Sequence, residues 1–218
     1  MKPHETGIDF ETSLGAVTRS VSELEKEGET LRSVTLERSY NTTAEDLWDA
    51  VTNPERLERF FAPVSGELQL GGRYQIEGNA DGKITACEPP EFFGATWEFG
   101  GGMSWIEVRI SRDGEKRSRL SLSHLCPVDE HWEKFGPGAA GVGWDLSLLG
   151  LEAHLADIAF DRTDGHALMV SEEGKAFMIG SSKDWGRAAA AFGEDPAQAK
   201  AAAEQTTAFY TGEETQEG

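Results

Sequence analysis

The segment FFGATWEFGGGMSWIEVRISRDGEKRSRLSLSHL, residues 92–125, decides the fold. Phe93, Ala95, Trp97 and Phe99 alternate with small or polar residues, and Gly100-Gly101-Gly102 follows as a turn. Ile106, Val108 and Ile110 alternate next, then Asp113-Gly114 turns the chain again, and Leu120, Leu122 and His124 close the series. A side-chain period of two, interrupted by short glycine-bearing turns, is the pattern of consecutive antiparallel strands with one buried face.

The pattern extends upstream. Leu68-Gln69-Leu70 reads as a short strand before a Gly71-Gly72 turn, and Tyr74 and Ile76 alternate with polar residues. Asp81-Gly82 reads as a tight hairpin turn ahead of Ile84 and Ala86, and Pro89-Pro90 breaks the sheet. Earlier still, two alternating runs, 14–24 and 31–40, flank Gly28 and predict a hairpin, with Val34, Leu36 and Arg38 following the alternation. Residues 1–13 are expected to be loosely tethered.

Helices are marked by their caps. Thr43-Ala44-Glu45-Asp46 is a capping box, and Asn53-Pro54 supplies an N-cap and first helical residue. Two short helices are therefore predicted between 44 and 61. Residues 139–157 carry the longest helical pattern, with Trp144, Leu148, Leu151 and Leu155 on one face and Val142, Leu146, Leu149 and Ala153 beside it. A stripe that wide predicts a buried helix. Residues 158–170 read as polar and turn-like. Ser171 then predicts a helix ending at Gly193, and Asp195-Pro196 starts an Ala-rich helix ending at Gly212. Such a helix is marginal alone, so it is expected to pack on the core or on a second subunit, which makes a homodimer one expected assembly.

Composition narrows the function classes. Lys and Arg total 20, Asp and Glu 39, for a net charge of −19 over 218 residues. That charge argues against nucleic acid and anionic membrane surfaces as partners. No run of 18 apolar residues occurs, and the start lacks a basic region followed by an apolar run. Cys87 and Cys126 read as free thiols in a reducing compartment, and the chain is expected to be cytoplasmic.

The order of strand, two short helices, antiparallel strands and one long helix carries a resemblance. The stretch from Val34 to Ala156 resembles the activator of heat-shock-protein-90 ATPase homologue family, within the START-like (SRPBCC) helix-grip superfamily. The matching segments are Asp46-Leu47-Trp48-Asp49-Ala50-Val51-Thr52-Asn53-Pro54-Glu55, Gly71-Gly72-Arg73-Tyr74, Ile84-Thr85-Ala86-Cys87-Glu88-Pro89-Pro90, Thr96-Trp97-Glu98-Phe99 and the helix around Gly143-Trp144. The tail is similar to extensions of actinobacterial members. The resemblance implies an α+β fold in which a curved antiparallel sheet wraps a long C-terminal helix, with a cavity between them. It divides the chain into a helix-grip domain, 14–157, and a helical C-terminal extension, 158–218.

On that expectation the pocket wall is Phe61, Tyr74, Ile76, Trp97, Phe99, Ile106, His124, Trp144 and Leu148, facing an apolar small molecule. His124 either orients the ligand or is a hydrogen-bonded core histidine, the simpler reading. No catalytic residue, metal or cofactor is assigned. Asp129-Glu130-His131 lacks a ligand spacing. Gly136, Gly138 and Gly141 fit GxGxxG but no βαβ unit surrounds them, so they are expected to make a flexible lead-in to the long helix. The rival readings are a module regulating a chaperone ATPase and a cyclase- or hydrolase-type enzyme using the same pocket.

Overall fold

The computed structural model describes residues 7–26, 28–158, 167 and 169–213. Its strands are β1 (Thr18–Lys26), β2 (Glu29–Tyr40), β3 (Val64–Gly66), β4 (Arg73–Ile76), β5 (Asp81–Glu88), β6 (Phe92–Phe99), β7 (Gly102–Arg112) and β8 (Ser118–Pro127). The helices are α1 (Phe10–Gly15), α2 (Ala44–Thr52), α3 (Pro54–Phe60), α4 (Glu130–Phe135), α5 (Gly138–Leu155), α6 (Glu172–Phe192) and α7 (Pro196–Thr211). The strands form one open antiparallel sheet in the order β1-β2-β8-β7-β6-β5-β4-β3. This is the expected α+β helix-grip arrangement. The chain divides into two compact units, and β2, β8 and α5 each contribute residues to both.

The first unit comprises residues 1–8, 37–124 and 147–162. Its short helices begin where the caps require. The Thr43 hydroxyl accepts from the Asp46 N–H at 3.2 Å, and the Asn53 side chain from the Glu55 N–H at 3.0 Å. Arg56 of α3 ties both helices to the end of α5, donating to His154 Nε2 at 3.0 Å and reaching Asp46 and Asp49. Gly150 allows α5 to lie close to α3, since a Cβ there would meet the Phe60 carbonyl at 2.7 Å.

Two strand expectations change. Leu68-Gln69-Leu70 is irregular, and Leu70 is exposed. Asp81-Gly82 is not a turn; it opens β5, and the reversal falls at 77–80. Gly82 is instead a close-approach residue. It pairs with Tyr74, and a Cβ on it would stand 2.0 Å from the Thr96 carbonyl oxygen and 2.9 Å from the Tyr74 ring. The same absence of a side chain that suits glycine to turns here admits a tyrosine ring over a strand.

The second unit comprises residues 9–36, 125–146 and 163–218. The chain before residue 14, expected to be loosely tethered, carries α1 from Phe10. Asp9 caps it, and the Phe10 ring meets Phe177 edge-on at 6.3 Å. Ser171 caps α6 and Gly193 ends it in the left-handed conformation; Asp195 caps α7 and Gly212 ends it likewise. The expected turn-like stretch lies outside the described residues at 159–166 and 168.

Gly136, Gly138 and Gly141 are not a flexible lead-in. A Cβ at these positions would meet Ala202 at 3.3 Å, Thr206 at 2.9 Å and Trp185 at 2.2 Å. They are places where the chain around the start of α5 approaches α6 and α7 closely. Beside them sits a buried ion pair. Arg19 of β1 holds Asp145 of α5 through two hydrogen bonds, and Oδ2 of Asp145 also accepts from the Ser181 hydroxyl at 2.6 Å and the Trp185 indole N–H at 3.0 Å. Arg19 also donates to Asp184 and to the Leu14 and Val17 carbonyls. The charges are compensated on every side, which a buried pair requires.

Candidate ligand site

In the first unit, strand register gathers one row of polar and aromatic groups on the inner face of the sheet. Trp97 of β6 pairs with Ser104 of β7, whose hydroxyl lies 2.8 Å from Nε2 of His124 on β8. The Trp97 and His124 rings lie 5.7 Å apart, tilted, and the Trp97 carbonyl accepts from Ser104 at 3.3 Å. The next row on the same face is apolar: Ile84 pairs with Ala95, and Ala95 with Ile106. A part-buried Ser–His pair set in an apolar surface is where a ligand's polar group is oriented.

Burial fixes the charge state of His124. With its ring away from water, the cationic form loses its hydration, and the pKa is pushed down to about 4. The imidazole is therefore neutral near pH 7. A base that weak is poorly matched to deprotonating the Ser104 hydroxyl, so the pair suits hydrogen bonding better than nucleophilic catalysis.

The other expected wall residues fall as follows. Tyr74 and Ile76 of β4 are buried, but the Tyr74 hydroxyl donates to the Thr96 carbonyl at 2.6 Å, and burial raises its pKa. Ile106 and Leu148 are buried, and Phe61, just past α3, is half-buried. Trp97 is also only half-buried, as are Ile84 and Phe93 on the same face. Trp144 is buried on the first part of α5 and belongs to the second unit. Phe99 departs from expectation: it is 61 % exposed, because it ends β6 beside Gly100 and Gly101, where neighbouring structure stops. Glu98, of opposite parity, pairs with Arg73 at 2.9 Å near the surface.

Three side chains on this face were not singled out as site residues. Ser104 is one. The others are Arg38 of β2 and Glu152 of α5, an ion pair at 2.7 Å with Arg38 buried. Tyr40, two residues from Arg38, donates its hydroxyl to the Leu148 carbonyl at 3.2 Å. The parity of Arg38 with Tyr40 was the available signal. Among the described residues, no group of three or more His, Cys, Asp or Glu is placed to hold a metal ion, and no helix is long and apolar enough to cross a membrane.

Residues 41–156, more than half of the chain, match the family described as Activator of Hsp90 ATPase homolog 1-like protein. The chain belongs to this family. Among solved structures, the crystal structure of CalU16 from Micromonospora echinospora is 26% identical, with a TM-score of 0.66, covering 79% of this chain and 98% of that one. The solution structure of CalU16 gives a TM-score of 0.70 at the same identity, covering 81% and 97%. A conserved protein of unknown function from Enterococcus faecalis, EF2215, is 16% identical with a TM-score of 0.54, covering 78% and 92%, and shares the fold. No curated protein matches the chain. The Activator of Hsp90 ATPase homolog 1-like match takes in α2 and α3, strands β3 to β8 and α5, and so all the residues of the candidate wall.

Proposed function

We propose that this protein binds an apolar small molecule against the inner face of the first unit's sheet, without turning it over. The observation that carries this is incomplete coverage of that face. Ile84, Phe93 and Trp97 point inward by register yet are only half-buried, whereas their neighbours Ile106 and His124 are buried. Half-covered aromatic and aliphatic surface beside one part-buried polar pair is the make-up of a small-molecule site. Phe61, Tyr74, Ile76, Ile106 and Leu148 complete the wall, and His124 with Ser104 supplies polar selection. Covering apolar area gains about 25 cal/mol per Å², enough for micromolar affinity.

The test is native mass spectrometry of freshly purified protein, followed by tryptophan-fluorescence titration with an apolar panel. A retained molecule, or saturable quenching that Leu148→Arg abolishes, is the expected result. Absence of both would replace this reading.

A second reading draws on the family description and on Phe99 and Met103, which are exposed on opposite faces at the end of the β6–β7 hairpin. An exposed apolar tip suits regulation of a chaperone ATPase by contact. Stimulation of Hsp90 ATPase activity by the wild type, lost in Phe99→Ser, would support it.

A further inference from the structure

Arg38 is unexpected on an apolar inner face. It is only 6 % exposed, and Tyr40, which lies under its guanidinium at 5.2 Å, faces α5 through the Leu148 carbonyl. Glu152, one helical turn beyond Leu148, meets the Arg38 Nη2 at 2.7 Å. Sheet and helix of the first unit therefore converge on this guanidinium. Yet its Nε–H, like that of the more exposed Arg32 on the same strand, has no hydrogen-bond partner among the described residues. The contrast within the same protein is Arg19, whose Nε donates to Asp145 at 2.9 Å. A buried N–H with no acceptor is costly to fold around, and native proteins seldom keep one without a use.

We propose that Arg38 Nε anchors a carbonyl oxygen of the bound molecule. This rests on the binding reading above and narrows its ligand to an apolar molecule carrying a ketone or similar neutral acceptor. A carboxylate is the poorer fit. Glu152 already offsets the guanidinium charge, and a second anion beside it would meet like-charge repulsion in a site of low polarity. A neutral oxygen takes the free N–H without disturbing the pair. Leu148, between the Tyr40 hydroxyl and Glu152 on the helix, offers apolar surface to the rest of the molecule.

Two probes of nearly equal shape test this on the full chain: 2-acetylnaphthalene, which has the carbonyl, and 2-ethylnaphthalene, which lacks it. Tryptophan-fluorescence titration of the wild type is expected to show about tenfold tighter binding of the ketone, the worth of one hydrogen bond to a charged donor. Arg38→Met is expected to bind both alike. Arg38→Met/Glu152→Gln, which leaves no carboxylate without its cation, repeats the comparison if the single variant fails to fold. The infrared carbonyl stretch of the bound ketone gives a reading on the wild type alone and is expected to fall relative to the same ketone in alkane. Equal affinities in the wild type, an unshifted stretch, or a ketone preference that survives Arg38→Met would overturn the anchor and leave apolar binding standing. Binding of neither probe would overturn both.

Discussion

Arg19 and Asp145 meet through two hydrogen bonds, Nε to Oδ2 at 2.9 Å and Nη2 to Oδ1 at 2.8 Å, with side chains 5 % and 0 % exposed. One residue lies on β1 and the other on α5, and Ser181 and Trp185 of α6 complete the acceptor's shell. Removing Asp145 strands the Arg19 guanidinium in a dry interior with only the more exposed Asp184, at 3.2 Å, and deprives Ser181 and Trp185 of their acceptor. Asp145→Ala is therefore expected to cost about 3–5 kcal/mol of stability. Replacing both, Arg19→Met with Asp145→Leu, should cost less than Asp145→Ala alone. Urea denaturation of the three proteins checks this, and a double variant weaker than the single would refute the stranded-charge account.

Gly141→Ala should be destabilising by about 3 kcal/mol. The new Cβ would stand 2.2 Å from Cε2 and 2.3 Å from Nε1 of Trp185, a fully buried ring that cannot move without losing its bond to Asp145. Gly15→Ala, with nothing within 4 Å, is the control and should be neutral or slightly stabilising. Thermal melts of the two variants against wild type separate close approach from general glycine effects.

His124 predicts a pH dependence of stability. Its folded pKa is about 4, below the ordinary 6.5, so between those values the unfolded chain binds the extra proton. Stability from this group is fully present above pH 6.5 and is lost as pH falls towards 4. Between pH 7 and pH 5 the loss should be about 2 kcal/mol. The measurement is the difference in urea midpoints between wild type and His124→Gln at the two pH values, which cancels the carboxylates common to both. A His124 ring resonance titrating near 6.5 would contradict the burial argument.

Cys126 should resist alkylation. Burial, with the Asp129 charge adding to it, pushes its thiol up to about 12, so thiolate is scarce at pH 8. Iodoacetamide at pH 8 should leave Cys126 unmodified in the native protein and label it in urea, as peptide mass mapping would show.

Local signals carried most of the fold. The helix starts at Thr43, Asn53, Ser171 and Asp195 and the stops at Gly193 and Gly212 were legible because a cap is satisfied by residues two to four positions away. The strands from Phe92 to Pro127 were legible because alternation is likewise local. The failures concern what only packing or strand ends decide. Gly82 looks like a turn residue until the Tyr74 ring is placed over it. Gly136, Gly138 and Gly141 look flexible until Trp185 and Thr206 arrive from the far end of the chain. Asp145 reads as one polar interruption in an apolar helix, and nothing within ten residues announces Arg19. Phe99 kept the right parity but lay one residue too near the end of its strand to be covered.

The Arg19–Asp145 cluster also sets a timetable for synthesis. Asp184, the second carboxylate that Arg19 meets, follows it by 165 residues in the chain. At about 5–20 residues per second, that is roughly ten to thirty seconds in which the Arg19 side chain waits for that carboxylate. The first unit's central strands and short helices, encoded between residues 37 and 124, emerge well before then. A nascent chain stalled before α6 would hold Asp145 without its Ser181 and Trp185 donors. Until α6 emerges, the pair lacks three of its partners at once, Ser181, Asp184 and Trp185.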